Sequence, residues 1–353
     1  MIQPLTYHDL GSLAALLAES GFSPSHARTL LRTFYNSDRQ PDFSSTACPK
    51  RLLPLLIDAG RLGSSILRTH ISSDGTTKLL IGFDRGGTVE SVVMPSHRPG
   101  IAAGCVSSQI GCAMGCDFCA STRNGLERNL DASEIVEQFI HLKRLARQQD
   151  RRLKTLVFMG MGEPLLNLEN VIPAISRIAH PDMGGLGWRQ ITVSTVGIVP
   201  GIERLADADL NVHLALSLHA PDDQTRGRLI PSNRRYPVAE IMSAARRFQA
   251  RTGRVVNIEY CMLAGVNDSD EQASLLAELM KGFRAHVNLI PYNAIGTSLT
   301  GVTYGRPDHA RLNRFLEILR HRGVVAHFRT TRGDDVNAAC GQLRETLVGI
   351  GSR

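Results

Sequence analysis

Seven cysteines stand in this chain, and four of them, Cys105, Cys112, Cys116 and Cys119, fall within fifteen residues. The text Gly111-Cys112-Ala113-Met114-Gly115-Cys116-Asp117-Phe118-Cys119 sets three thiols at C-x3-C-x2-C spacing. Three soft thiolates on a short, glycine-containing loop can wrap an iron–sulfur cube. A cube held by three protein ligands keeps one iron open to a substrate or cofactor. A structural zinc site is the competing use of such a run. It wants four closed ligands, and no fourth Cys or His lies nearby in the sequence to complete it.

Other residues with chemistry to offer sit at the ends of apolar runs. Gly160-Met161-Gly162-Glu163-Pro164 follows the run LKTLVFM. Its glycines let the backbone approach a ligand, and Glu163 can accept from an ammonium; a plain strand-to-helix turn explains the same text. Ser194 ends QITVSTV, Ser217-Leu218-His219 ends NVHLALSL, and Asn293 follows HVNLIPY. Each alone is equally a satisfied turn or helix cap. Cys105 and Cys340 are 235 residues apart, and singly each reads as a small buried hydrophobe. Cys48 and Cys261 belong to no motif; Cys261, in NIEYCML, reads as core.

These residues need elements to position them. Leu10, Leu13, Leu16 and Leu17, then Ala27, Leu30, Leu31 and Phe34, predict helices, with a third around Leu52–Ala59. The segments SILRTHI, TTKLLIGF and VESVVMP alternate, with turns at Asp74-Gly75 and Gly86-Gly87, and predict a β-meander. Beyond residue 102, buried-strand runs alternate with helical runs near 131–149, 168–179, 199–206, 236–252, 268–282 and 307–321. Repeated β-then-α units imply an α/β fold with a parallel sheet covered by helices, whose chemistry sits at the C-terminal strand ends. Periodicity does not separate a partial barrel from an open sheet.

The composition fits this reading. In 353 residues, 42% are hydrophobic and 21% charged, which excludes disorder over most of the length. The formal charge of +7 permits a polyanionic partner without requiring one. Basic residues cluster at His141–Lys154, Arg234-Arg235, Arg246-Arg247 and Arg320–Arg322, where a solvated helix face and a phosphate track are the alternatives. No apolar run is long enough for a membrane span, and the first residues do not read as a secretory signal.

C-x3-C-x2-C with an aromatic before the last Cys resembles the signature of radical S-adenosylmethionine (SAM) enzymes. Cys105-Val-Ser-Ser-Gln-Ile-Gly-Cys112, Phe158-Met-Gly-Met-Gly-Glu-Pro164, Ser217-Leu-His-Ala220 and Gly333-Asp-Asp-Val-Asn-Ala-Ala-Cys-Gly-Gln-Leu343 together resemble the RlmN/Cfr family, RNA methyltransferases that act on an adenine ring carbon. The resemblance covers about residues 85–345.

The resemblance implies a partial (β/α)6-type radical SAM barrel over 98–345. Ahead of it would lie a helical accessory domain at 1–60 that contacts RNA and a β-meander extension at 61–97, with a short tail at 346–353 behind it. It implies a 4Fe-4S cluster on Cys112, Cys116 and Cys119, and two SAM per turnover held by Gly162, Glu163, Ser194, Ser217, Leu218, His219 and Asn293. Cys340 would carry the methyl group. Cys105 would then release the product, leaving a Cys105–Cys340 disulfide, and Glu90 would accept a proton.

The radical route answers a chemical problem: an aromatic C–H carbon of adenine is not nucleophilic, so ordinary displacement on SAM does not methylate it. The implied substrate is 23S ribosomal RNA, with tRNA as a further one. The target would be C2 of adenosine, or C8 in the Cfr manner. The implied setting is a cytoplasmic monomer with an external electron donor. A radical SAM enzyme with another substrate, and a non-catalytic iron–sulfur or RNA-binding protein, are the other readings. Retention of both Cys105 and Cys340 argues against them.

Overall fold

The computed structural model describes residues 3–46, 48–329 and 331–343; the expected tail at 346–353 lies outside the described residues. Helices α1 (Leu10–Glu19), α2 (His26–Asn36) and α3 (Leu53–Ala59) come first. Strands β1 (Ser64–Ile71), β2 (Thr77–Phe83), β3 (Thr88–Pro95) and β4 (Ile101–Cys105) follow. A small hairpin, β5 (Gln109–Gly111) and β6 (Leu126–Asn129), brackets the cysteine loop. Then come α4 (Ala132–Gln148), β7 (Arg152–Phe158), α5 (Leu168–Ala179), β8 (Ile191–Thr195), α6 (Val199–Asp207) and β9 (His213–Ser217). The last run is α7 (Asp223–Leu229), α8 (Val238–Thr252), β10 (Val256–Met262), α9 (Asp270–Met280), β11 (Ala285–Pro291), α10 (His309–His321) and β12 (Ala326–Phe328).

One sheet runs β1-β2-β3-β4-β7-β8-β9-β10-β11-β12. From β4 to β12 every neighbour is parallel, as the alternation of buried strands and helices requires. The meander joins its edge, with β3 antiparallel to β4. The two end strands are not paired with each other, so the barrel is partial. α4 begins at a capping box between Asp131 and Glu134. In α5, Leu168, Val171, Ala174, Ile175 and Ile178 make one buried stripe.

The basic run on α4 has a structural use. Lys143 Nζ donates to Tyr35 O (3.0 Å), Arg144 Nε to Ser37 O (3.1 Å) and Arg147 Nη1 to Asn36 O (2.8 Å). These cations satisfy the carbonyls at the C-terminus of α2 and suit its dipole. They fasten the N-terminal helices to the barrel. Among the described residues no helix is long and apolar enough to cross a membrane.

Candidate active site

The cysteine loop hangs from the β5–β6 hairpin. Gly111 lies at φ +71°, and a Cβ there would fall 1.9 Å from Gly125 O, so only glycine lets the loop begin. Cys112 N–H then donates to that same Gly125 carbonyl at 2.8 Å. Cys119 N–H donates to Cys116 O (3.1 Å), and Asp117 N–H to Leu229 O (2.9 Å). The Asp117 carboxylate accepts from Thr300 N–H (2.9 Å) and Tyr304 O–H (2.6 Å), tying the loop to the segment after β11. Phe118 meets His219 edge-on, centroids 4.8 Å apart.

Cys112, Cys116 and Cys119 line one cavity of about 930 Å³, together with Glu163, Ser194, Ser217, His219 and Cys340. Burial pushes the Cys112 thiol up to about 12 and raises Cys116 and Cys119 as well, with Cys119 adding to the rise at Cys112 and Cys116, and Cys340 to that at Cys119. Thiols so placed become ligands only when a cation offsets the burial. No three Cys, His, Asp or Glu side chains among the described residues converge tightly enough for a single metal ion. A cube spreads its irons, so its ligands need not converge on one point. Three soft thiols lining one cavity are a donor set that fits an iron–sulfur cube.

Glu163 is nearly fully buried. Its Oε1 accepts from Leu165 N–H (3.0 Å) and its Oε2 from Val196 N–H (2.9 Å), while burial pushes its carboxyl up to about 7. Gly162, at φ +100°, presses against Gln109, where a Cβ would come within 2.6 Å. Ser194 and Ser217, at the ends of β8 and β9, stand 3.3 Å apart, oxygen to oxygen. His219 holds a left-handed backbone at φ +59° and accepts from Cys261 N–H through Nδ1 (2.9 Å). Burial takes its pKa down to about 3, so it is a neutral ring bearing its proton on Nε2. Leu218 is wholly buried and does not line the cavity; its carbonyl accepts from Arg226 Nε (3.0 Å). Arg226, fully buried, also donates to Val196 O and Ser217 O, bracing both strand ends.

Cys105 ends β4, and the fold brings Cys340 to the same cavity. The two line a second cavity of about 560 Å³ with Val92, Met94, Val157 and Asn293. Cys340 lines both cavities. The segment carrying it is tied down on several sides. Asn293 Nδ2 donates to Cys340 O (3.2 Å), Ala120 N–H to Gly341 O (2.7 Å) and Ser121 Oγ to Leu343 O (2.6 Å). On the meander side, Ser73 N–H donates to Asp335 (3.0 Å), and Lys78 Nζ to Asn337 O (3.1 Å). Asn293 thus faces the second cavity, not the first, and acts on the Cys340 segment.

The expected disulfide is corrected: all seven cysteines are free, and Cys105 and Cys340 are two separate thiols. Glu90 is buried on β3 and not solvent-facing; it pairs with Lys78 Nζ at 2.8 Å and lines neither cavity. Lys78 so links Glu90 to the Cys340 segment. Lys78→Met removes one partner of a buried pair, and is expected to destabilise the fold by ~3–5 kcal/mol, read as a lower Tm. An unchanged Tm would contradict the pairing.

The sequence reading missed Arg329, Glu259 and Cys261, which all line the first cavity. A charged pair in the texts NIEYCML and VVAHFRTT, otherwise apolar strands, was the available signal for the first two.

An open α/β barrel with a three-cysteine loop over its strand ends defines a radical SAM enzyme, and residues 106–277 match the Radical SAM superfamily. The chain is 52% identical over 94% of its length, and 94% of the relative's, to a protein of Opitutus terrae described as a probable dual-specificity RNA methyltransferase RlmN 1. It is 43% identical, over 97% of this chain and 91% of the other, to a probable dual-specificity RNA methyltransferase RlmN of Symbiobacterium thermophilum. The crystal structure of a radical SAM methyltransferase from Sphaerobacter thermophilus superposes with a TM-score of 0.90 at 42% identity, covering 97% of this chain and 99% of that one. The chain belongs to the RlmN family of radical SAM RNA methyltransferases. The family implies a 4Fe-4S cluster, SAM and an RNA substrate.

Proposed function

We propose that this chain methylates C2 of an adenosine in 23S ribosomal RNA and in tRNA, carrying the methyl group on Cys340. The observation that supports this most is the place of Cys340 at the wall common to two cavities, one bearing the three clustered cysteines and the other Cys105. When bound, the cluster and SAM supply the methyl group and a 5′-deoxyadenosyl radical, with two SAM per turnover.

In this reading Cys112, Cys116 and Cys119 are the cluster ligands. Gly162, Glu163, Ser194, Ser217 and His219 hold SAM, Leu218 contributes through its backbone, and Asn293 contributes by fixing the Cys340 segment. The second cavity, walled by Val92, Met94 and Val157, receives the flat face of an adenine drawn out of its stack. Cys105, on that side, is the thiol that frees the RNA from the Cys340 sulfur. Glu90, ion-paired with Lys78 and lining neither cavity, would be the proton acceptor only by relay. The helices before residue 60 grip the RNA. The enzyme works as a monomer in the cytoplasm, where an external donor supplies electrons.

The test is the mass of the Cys340 peptide after reconstituted protein is incubated with SAM. A gain of one methyl group is expected; an unmodified Cys340 contradicts the reading. Glu163 offers a second check. Its carboxyl stays protonated until about pH 7, and the carboxylate is the form that attracts an ammonium. SAM binding is therefore expected to strengthen as pH rises through 7. Glu163→Gln removes that rise and weakens binding about tenfold, measured by equilibrium dialysis.

A further inference from the structure

Asn267 lies between β10 and α9, wholly buried, and lines neither cavity. Its side chain spans three backbone groups. Nδ2 donates to His219 O (2.7 Å) and to Cys261 O (2.7 Å), and Oδ1 accepts from Leu263 N–H (2.7 Å). The Asn267 carbonyl accepts from the buried Tyr260 hydroxyl (2.7 Å), so the residue is held from both sides.

These bonds take over where the sheet stops. The β9–β10 ladder runs to Ser217 and Glu259. Past it, Glu259 O accepts from Leu218 N–H (3.1 Å) and His219 N–H (3.3 Å). Two residues further along β10, the backbone of Cys261 meets a side chain and not a strand. Its N–H donates to His219 Nδ1 (2.9 Å), and its carbonyl is taken by Asn267. A buried carbonyl without a donor is costly, and here one amide serves two of them.

The turn closed in this way is not relaxed. His219 holds φ +59°, a region that residues other than glycine visit rarely and keep only where their surroundings over-determine it. Asn267 grips the carbonyl of this residue, and Cys261 N–H grips its ring. With Nδ1 accepting, Nε2 carries the proton of the neutral imidazole. The ring lines the first cavity and stands edge-on to Phe118 of the cysteine loop.

We propose that Asn267 is a positioning residue for SAM binding: by clasping the carbonyls of His219 and Cys261, it holds the His219 ring with its Nε2–H turned to the first cavity. The inference rests on the reading of His219 as a SAM contact. Asn267 acts on the cofactor only through that ring.

The test is equilibrium dialysis of SAM against the reconstituted holoenzyme, with variants compared at equal iron content. Asn267→Asp keeps the shape and the acceptor for Leu263 N–H and loses both amide donors. It is expected to weaken SAM binding about tenfold. His219→Ala is expected to weaken it by a similar factor. The double variant separates positioning from a general loss of packing. With the ring gone Asn267 has nothing left to aim, so adding Asn267→Asp to His219→Ala is expected to lower affinity by less than about twofold more. A further loss of about tenfold in the double variant, or Asn267→Asp at wild-type affinity, overturns the proposal. Should Asn267→Asp not fold, Asn267→Ala, which removes the same donors without burying a charge, carries the same cycle. His219→Ala at wild-type affinity sinks the SAM-contact reading, and the proposal with it.

Discussion

Cys340→Ala is expected to reduce RNA methylation to the level of a control without enzyme, with the cluster's visible absorbance unchanged. The physical reason is a separation of duties. The three cluster thiols sit on a loop braced by Gly125 O, Leu229 O and the Asp117 contacts, none of which involves the Cys340 side chain. Cys340 is exposed, and its segment is tied through backbone carbonyls and through Asp335 and Asn337. Removing one sulfur atom there leaves no cavity in a core. What vanishes is the only nucleophile among the described residues that lines both chambers. Methylation that persists in Cys340→Ala would show that another atom carries the methyl group.

Cys116→Ala is expected to lose the brown chromophore and most bound iron, and with them all cleavage of SAM. Cys116 is buried and packs with Phe118, Leu229, Ile230 and Tyr292. Alanine keeps the small apolar volume, so the fold survives at a cost of about 1–2 kcal/mol. The loss is chemical: two thiolates leave a second corner of the cube unprotected. Iron content and the far-ultraviolet circular dichroism spectrum separate the two effects. Full iron with a normal spectrum would exclude Cys116 as a ligand.

The elements that were plain in the sequence are those whose signal is local. The helix periodicities near 131–149, 168–179 and 307–321 become Ala132–Gln148, Leu168–Ala179 and His309–His321. The cysteine spacing was legible because a cluster loop is a local object. β4 was not, because Ile101–Cys105 is short, glycine-containing and without alternation. α7 was hidden in Asp223–Leu229, whose seven residues carry five charged or polar groups and little periodicity. The joining of the meander to the barrel depends on β3–β4 register, which no window of sequence contains.

The same limit governs the site. Arg329, Glu259 and Asn288 meet only because β10, β11 and β12 lie side by side, and Cys261 looked like core because its strand text is apolar. Lys143, Arg144 and Arg147, a basic run in the sequence, are spent on the end of α2.

The most direct measurement is mass spectrometry of the nucleosides of 23S ribosomal RNA and tRNA, each incubated with reconstituted enzyme, SAM and a reductant. The account predicts 2-methyladenosine in both RNAs, absent when Cys340 is alanine. Appearance of 8-methyladenosine instead, or of no methylated adenosine at all, would contradict it.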